Sequence, residues 1–340
     1  MLLWTSLLEA GGGFPPVLTL SGTPGPAGVG LAFSFTPTVS GGTEPYAFSL
    51  QSGILPDGLS LNGATGEVSG SPTEDGSFSG LVIRVTDSSS AIADLPITIE
   101  VAPAVTDPTF ANVKLLFGFE GADGATTVTD ESSYAFAVND GPSDAEIDTA
   151  QFRFGSSSLL IQSPAPPGHY AVSDNAHFTL GSNDFTIEGH LRFSSPPSGN
   201  QVFLSHWHET VGRRSWALRH NSAGNLSFLY STNGSNTVEV TGSWSPADDT
   251  WYYVAVSRIG STLRLFLEDA DGIAEEVAAH DIGAASINDS VTEIRIGAMN
   301  GSGGLPVDGF LGWLDEWRLT VGQGLYTQSF VAPQSAFPRS

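Results

Sequence analysis

Between Phe185 and Phe193 the residues Phe185, Ile187, Gly189, Leu191 and Phe193 alternate with Thr186, Glu188, His190 and Arg192. Successive side chains of a strand point to opposite faces, so this period of two predicts a strand with one buried and one solvated face. Leu263, Leu265 and Leu267 repeat the pattern beside Arg264, Phe266 and Glu268. Trp251 to Val256 is apolar on both faces, as expected of a central strand inside a two-sheet stack. No long segment has the helical period, and 40 glycines with 21 prolines supply frequent turns. The expectation is an all-β chain, and 340 residues suit two domains.

Acidic residues outnumber basic ones 36 to 12, and Lys114 is the only lysine. A chain of net charge −24 offers no basic groove for a phosphate backbone, which argues against nucleic acid as a partner and against anionic membrane surfaces. No apolar run approaches the length of a membrane-spanning helix, so no membrane insertion is expected. With no cysteine, disulfides, thiolate metal sites and cysteine nucleophiles are excluded. The start, Met1 to Ala10, is apolar without a basic leader, and reads as part of the working protein and not as a signal peptide.

Gly11-Gly12-Gly13-Phe14-Pro15-Pro16 breaks any helix and leads into Val17-Leu18-Thr19-Leu20, a candidate first strand. Pro56-Asp57-Gly58 and Asn62-Gly63 are turn sequences, and Leu81 to Asp87 and Leu95 to Val101 read as closing strands. The runs Gly42-Thr43-Glu44-Pro45-Tyr46-Ala47-Phe48-Ser49, Leu55 to Leu61 and Thr65 to Thr73 resemble an immunoglobulin-like family found in bacterial and phage surface proteins. That resemblance implies a small sandwich over residues 17–103 acting as a spacer, preceded by a segment 1–16 and followed by a stiff linker, 104–109, around Pro103 and Pro108.

Residues 110–340 form the second expected domain. Asn112 to Gly121 and Gly312 to Thr320, with Gly155-Ser156-Ser157-Ser158-Leu159, Phe185 to Leu191 and Trp251 to Arg258 between them, resemble in order a laminin-G-like, concanavalin A-like jelly roll. The final run, Asp315 to Gly322 with Tyr326, Phe330, Pro333 and Phe337-Pro338, resembles the ending of such domains in phage tail and other virion proteins, although Leu325 stands where an arginine is usual. The fold class implied is a small immunoglobulin-like β-sandwich followed by a β jelly roll.

In related jelly rolls a calcium ion ties the first strand to the last. The matching positions are Glu120, Gly121 and Asp315, with Asp123 and Asp130 in the following loop. The competing role for Asp315 is as acceptor for backbone amides. A glycosidase needs two carboxylates facing one sugar. The Glu-x-Asp-x-Glu run of related glucanases is missing, and the adjacent pairs Asp315-Glu316 and Asp248-Asp249 place their side chains on opposite faces of a strand. Ser245 to Trp251 lacks the glycine of a sialidase aspartate box, no Gly-x-Ser-x-Gly elbow is present, and Gly301-Ser302-Gly303-Gly304 has no following lysine to make a phosphate loop. No enzyme is expected.

His206-Trp207-His208 puts two imidazoles on one face of a strand, the spacing of a zinc pair, but no third ligand is evident and a surface-exposed pair is the favoured reading. Aromatic rings stack on sugars, which makes Trp207, Trp216, Tyr230 and Trp244 candidates alongside His206 and His208, with core packing as the competing role of each ring. The resulting expectation is a virion-surface adhesion protein, oligomeric within an assembly. Residues 1–16 dock on other virion proteins and the jelly roll binds host-surface polysaccharide. A purely structural virion protein, a polysaccharide-degrading enzyme and a bacterial surface adhesin are the alternatives.

Overall fold

A computed structural model describes residues 16–340 apart from 26, 31, 104–106, 140–143, 164–166 and 269–271. The docking segment 1–16, save its last residue, and the first half of the linker 104–109 lie outside the described residues. The chain divides into two compact units, with the division after residue 105.

The first unit is a sandwich. Phe33–Phe35, Val68–Gly70 and Leu59–Leu61 form one sheet, and Ala27–Gly28, Ile92–Ala102, Gly76–Thr86 and Ala47–Ser52 form the other. The segment read as a first strand pairs over Thr19–Ser21 with Thr38–Ser40. Alternate residues of the long hairpin, Leu81, Ile83, Val85 and Ile99, join Val68 in a fully buried core. Both expected turns form: Leu59 N–H donates to the Pro56 carbonyl at 3.0 Å, and Asn62 Oδ1 accepts from the amides of Ala64 and Thr65 at 2.9 and 3.2 Å.

The second unit stacks two antiparallel sheets. One runs in the order Ala145–Asp148, Ser158–Ile161, Gly312–Val321, Phe185–Phe193, Trp251–Ile259, Thr262–Glu268, Ile273–Asp281 and Phe330–Val331, with Val113–Phe117 also pairing with Gly312–Val321. The other runs Val138–Asn139, Tyr170–Val172, Ile294–Ile296, Gln201–Trp207, Arg214–Asn221, Asn225–Tyr230 and Val238–Ser243. Inward side chains of both sheets, among them Phe185, Ile187, Leu191, Trp216, Phe228, Val254 and Leu265, fill the space between them. First and last strands meet through Leu116↔Arg318 and Phe117↔Trp317.

One strand departs from its pattern. Phe185–Phe193 buries both faces, with Thr186, Glu188 and His190 at 0–1% exposure. The reason is a cover over the outer face of the nine-stranded sheet. Tyr326, Phe330, Ala332 and Phe337 from the C-terminal stretch pack with Val113, Leu116, Tyr253, Ala255 and Phe266 into a second apolar layer. At mid-strand, Glu188 pairs with Arg318 and His190 with Asp315, so Gly189 faces the bulge made by Glu316 and Trp317. A Cβ on Gly189 would lie 2.3 Å from the Trp317 ring. Gly189→Ala is therefore expected to destabilise this unit by about 1–3 kcal/mol, read from the shift of its urea-unfolding midpoint.

Candidate functional site

The turn between Arg214–Asn221 and Asn225–Tyr230 is built by Asn221, whose Oδ1 accepts from the amides of Ala223 and Asn225 at 3.0 and 3.1 Å, with Gly224 in the left-handed region at φ +80°. Beside it the chain leaves Val238–Ser243 and turns through Trp244. Ala223, Gly224, Asn225, Ser243, Trp244, Ser245, Tyr252 and Leu267 line a groove of about 490 Å³ at this end of the sandwich. Ser243 and Ser245 are exposed and Asn225 is half-buried, so hydroxyl and amide groups reach solvent along it.

Trp244 and Tyr252 form the floor, edge to face at 5.2 Å between centroids. Behind them Trp244 packs on Phe193 and His220 at 5.5 and 5.7 Å, which fixes the ring. Trp244 Nε1 is buried with no hydrogen-bond partner, a donor left over in a lining residue. Only 6% of Trp244 and 4% of Tyr252 are exposed, so the rings present their edges as an apolar floor and the polar groups lie at the rim.

The other aromatic candidates lie elsewhere. Trp216 is fully buried between the sheets. Tyr230 is 3% exposed and its hydroxyl meets His280 Nε2 at 3.0 Å. Trp207 lies on the outer face of the seven-stranded sheet beneath Met299 and Val307 of a small hairpin. None of these three presents an open ring face to a sugar.

The expectation of a surface-exposed His206–His208 pair is corrected: the two residues are 0% and 7% exposed. In the structure they also have different partners. His208 Nδ1 accepts the Thr210 amide at 3.0 Å. His206 Nε2 lies 2.8 Å from the Thr292 carbonyl and 3.4 Å from Asp174 Oδ1. Asp174, His206 and Asp289 bring ligand atoms within 4.8 Å of one another, the one such group of three among the described residues.

The calcium candidates do not converge in this way. Glu120 accepts from Ser156 N–H at 3.1 Å and from its hydroxyl at 2.7 Å, and the Gly121 amide donates to Ser157 Oγ at 2.9 Å. Asp123 accepts from the Thr149 amide at 3.1 Å. Asp130 is saturated by the amides of Leu116, Ser132 and Phe136 and by the Ser132 hydroxyl. Asp315 Oδ2 accepts from the amides of Arg153 and Phe154 at 2.7 and 3.0 Å, while its Oδ1 is buried without a partner. Apart from Asp315 Oδ1, amide and hydroxyl donors hold these carboxylates in the structure, as in the competing role read for Asp315. This donor set therefore does not fit a single calcium ion.

The carboxylate pairs are likewise turned apart. Asp315 faces the 153–154 amides while Glu316 binds Arg339 at 2.7 Å, and Asp249 holds Arg192 at 2.6 Å from the surface.

Asn225, Ser243, Ser245 and Tyr252 in the groove, and Asp174 and Asp289 beside His206, escaped the sequence reading. None belongs to a spaced motif, and only the folding of distant strand ends brings them together.

Residues 167–320 match the family model described as "Concanavalin A-like lectin/glucanases superfamily", and residues 15–102 match "Putative Ig domain". No curated protein matches the chain. Among solved structures, the binding domain of Paraclostridial Mosquitocidal Protein 1 is 13% identical with a TM-score of 0.49, over 64% of this chain and 50% of that one. The botulinum neurotoxin serotype D binding domain is 11% identical with a TM-score of 0.46, over 64% and 49%. Domain 4 of AbnA, a GH43 extracellular arabinanase from Geobacillus stearothermophilus, in complex with arabinotriose, is 12% identical with a TM-score of 0.40, over 63% and 94%. The chain spans half the length of the first of these structures. Together, the two family matches and the sheet order identify an immunoglobulin-like domain followed by a concanavalin A-like jelly-roll domain.

Proposed function

We propose that this protein is a non-catalytic carbohydrate-binding adhesin, in which the jelly roll engages polysaccharide and the immunoglobulin-like domain serves as a spacer. The observation that carries the reading is the groove over Trp244 and Tyr252, with Asn225, Ser243 and Ser245 at its rim. Its size suits one or two sugar rings, and its exposed donors and acceptors match hydroxyl-rich ligands. The acidic pairs, each turned to a different partner, supply no acid and base across a sugar.

On a glycan array the full chain is expected to bind a restricted set of saccharides. Asn225→Ala and Ser243→Arg should each weaken binding at least about tenfold, since each removes or obstructs polar contacts of about 1–3 kcal/mol, while thermal midpoints stay unchanged. Uniform silence on the array, or binding indifferent to both substitutions, rejects the groove. Release of reducing ends from a bound polysaccharide would reinstate the enzyme.

The finer placement is on the exterior of a phage particle, docked through residues 1–16 on other virion proteins. It rests on the likeness of the C-terminal run from Asp315 to Pro338 to virion proteins. Deleting residues 1–13 should then abolish incorporation into particles while both domains stay folded. Normal incorporation would refute the docking role of this segment. A glycan-silent jelly roll buried against neighbouring subunits would make the protein purely structural. Among the described residues no helix is long and apolar enough to cross a membrane.

A further inference from the structure

We propose that Asp174, His206 and Asp289 bind a divalent transition-metal ion of the zinc class at the rim of the jelly roll. Strand pairing explains how they meet. Val172 pairs with Ile294 and Ser205 with Arg295, so the chain just past Tyr170–Val172, the loop just before Ile294–Ile296 and the end of Gln201–Trp207 converge at one edge. His206 projects inward there, fully buried, with its ring edge-on to Trp216 at 6.3 Å, while Asp174 and Asp289 stand exposed above it. A buried imidazole at the base with exposed carboxylates at the mouth lets an ion enter from solvent and meet a preorganised ligand.

The distances suit a small ion. Two ligands each about 2.1 Å from a tetrahedral centre stand about 3.4 Å apart. His206 Nε2 and Asp174 Oδ1 are separated by 3.4 Å. The Asp289 carboxylate, already within 4.8 Å, closes by rotation of an exposed side chain, and the Thr292 carbonyl lies 2.8 Å from the same imidazole nitrogen. One imidazole nitrogen with two carboxylates is a donor set for zinc and its neighbours, whereas calcium takes six to eight oxygens and magnesium an octahedron of them. Two negative charges around a neutral imidazole also balance a dication. Binding requires the other tautomer: the proton that Nε2 otherwise donates to the Thr292 carbonyl moves to Nδ1, which is buried with no hydrogen-bond partner, and the ring then coordinates through Nε2 as a neutral ligand.

The ion would tie together three segments separated by 32 residues (206 − 174) and 83 residues (289 − 206). Gln201 pairs with His220 beside the groove, and His206 with Trp216 at the far end. The metal site and the groove therefore lie at opposite ends of the seven-stranded sheet, and failure of one leaves the other untouched.

The test is calorimetric titration of the chelator-treated full chain with zinc chloride and, separately, calcium chloride. The expected result is one zinc per chain and a zinc-dependent rise in thermal midpoint. Asp174→Asn and Asp289→Asn, both exposed and so compatible with folding, should each weaken zinc at least about tenfold, the scale on which supporting contacts of metal sites act. No saturable zinc binding overturns the proposal, as does zinc binding that survives in the double variant. Saturable calcium binding in preference to zinc overturns the ion class.

Discussion

Replacing Glu188 by alanine is expected to lower the unfolding free energy of the jelly roll by about 3–5 kcal/mol, the cost of removing one partner of a buried ion pair. Glu188 is fully buried on the covered face of the nine-stranded sheet. Its Oε1 accepts from Arg318 Nε at 2.6 Å, and its Oε2 accepts from the hydroxyls of Tyr253 and of Tyr326, the latter at 2.8 Å. Burial first, and then the Glu188 carboxylate, raise both phenols above their ordinary range, so they stay protonated as donors. Burial alone would lower the Arg318 guanidinium, but Glu188 outweighs it and holds the charge in place.

Arg318 passes the network on, donating to Asp107 at 2.8 Å and lying 4.2 Å from the Phe337 ring centroid. The first residues of this unit and its last stretch are thereby clamped to the same strand. Loss of Glu188 should also expose amides of residues 326–338 to hydrogen exchange before global unfolding. Pairing Glu188→Ala with Arg318→Met should cost less than the sum of the single changes, because the Glu188–Arg318 interaction is then lost only once. A single-variant cost below about 1 kcal/mol would show that water or a rearranged tail replaces the carboxylate.

This network also marks where sequence reading stops. The alternation from Phe185 to Phe193 correctly specifies a strand and its inward face, because Phe185, Ile187 and Leu191 obey a local rule. It assigns Glu188 and His190 to solvent, since nothing within the strand reveals that Tyr326 and Phe337, well over a hundred residues later, cover them. The apolar run from Trp251 to Val256 escapes this ambiguity: Tyr253 and Ala255 fill the covered face while Tyr252, Val254 and Val256 fill the interior, so both layers are written in one segment. The groove over Trp244 and Tyr252 is intermediate. Trp244 stands out by residue type, but Asn225 and Ser243 become neighbours only through strand pairing, Asn225 opposite Ser243. Asp174 and Asp289 are ordinary loop acids until the sheet places them over His206.

Between pH 6.5 and 8 one carboxyl alone is expected to cost the jelly roll about 2 kcal/mol of stability, at up to about 1.4 kcal/mol per unit of pH. The cause is Asp315. Burial pushes its carboxyl up from 3.8 to about 8; the amides of Phe154 and Arg153 pull the other way, and Glu316 and Glu120 add to the rise. A carboxyl whose folded value lies above its unfolded value keeps a proton that the unfolded chain releases. Its contribution is therefore full below about pH 4, declines as pH rises, and levels off above about 8.

On the acid side this slope is opposed by the cross-strand neighbour of Asp315. Burial first, and then Arg153, push His190 down from 6.5 to about 3, so stability is lost there as pH falls below 6.5. Burial also lowers His169, His208 and His220, which act in the same acid range. At pH 6.5 these imidazoles are still half protonated in the unfolded chain and offset part of the Asp315 slope; above about pH 7.5 they are neutral in both states, which leaves Asp315 to set it. Asp315→Asn should flatten it, with the remaining amide oxygen still able to accept from Arg153 and Phe154. Urea midpoints at half-unit steps of pH provide the measurement, with and without calcium. A slope that persists in the asparagine variant would assign the titration elsewhere. A slope abolished by calcium would make the orphaned Asp315 Oδ1 a cation ligand after all, because a bound cation drives its carboxyl to the ionised form throughout this range.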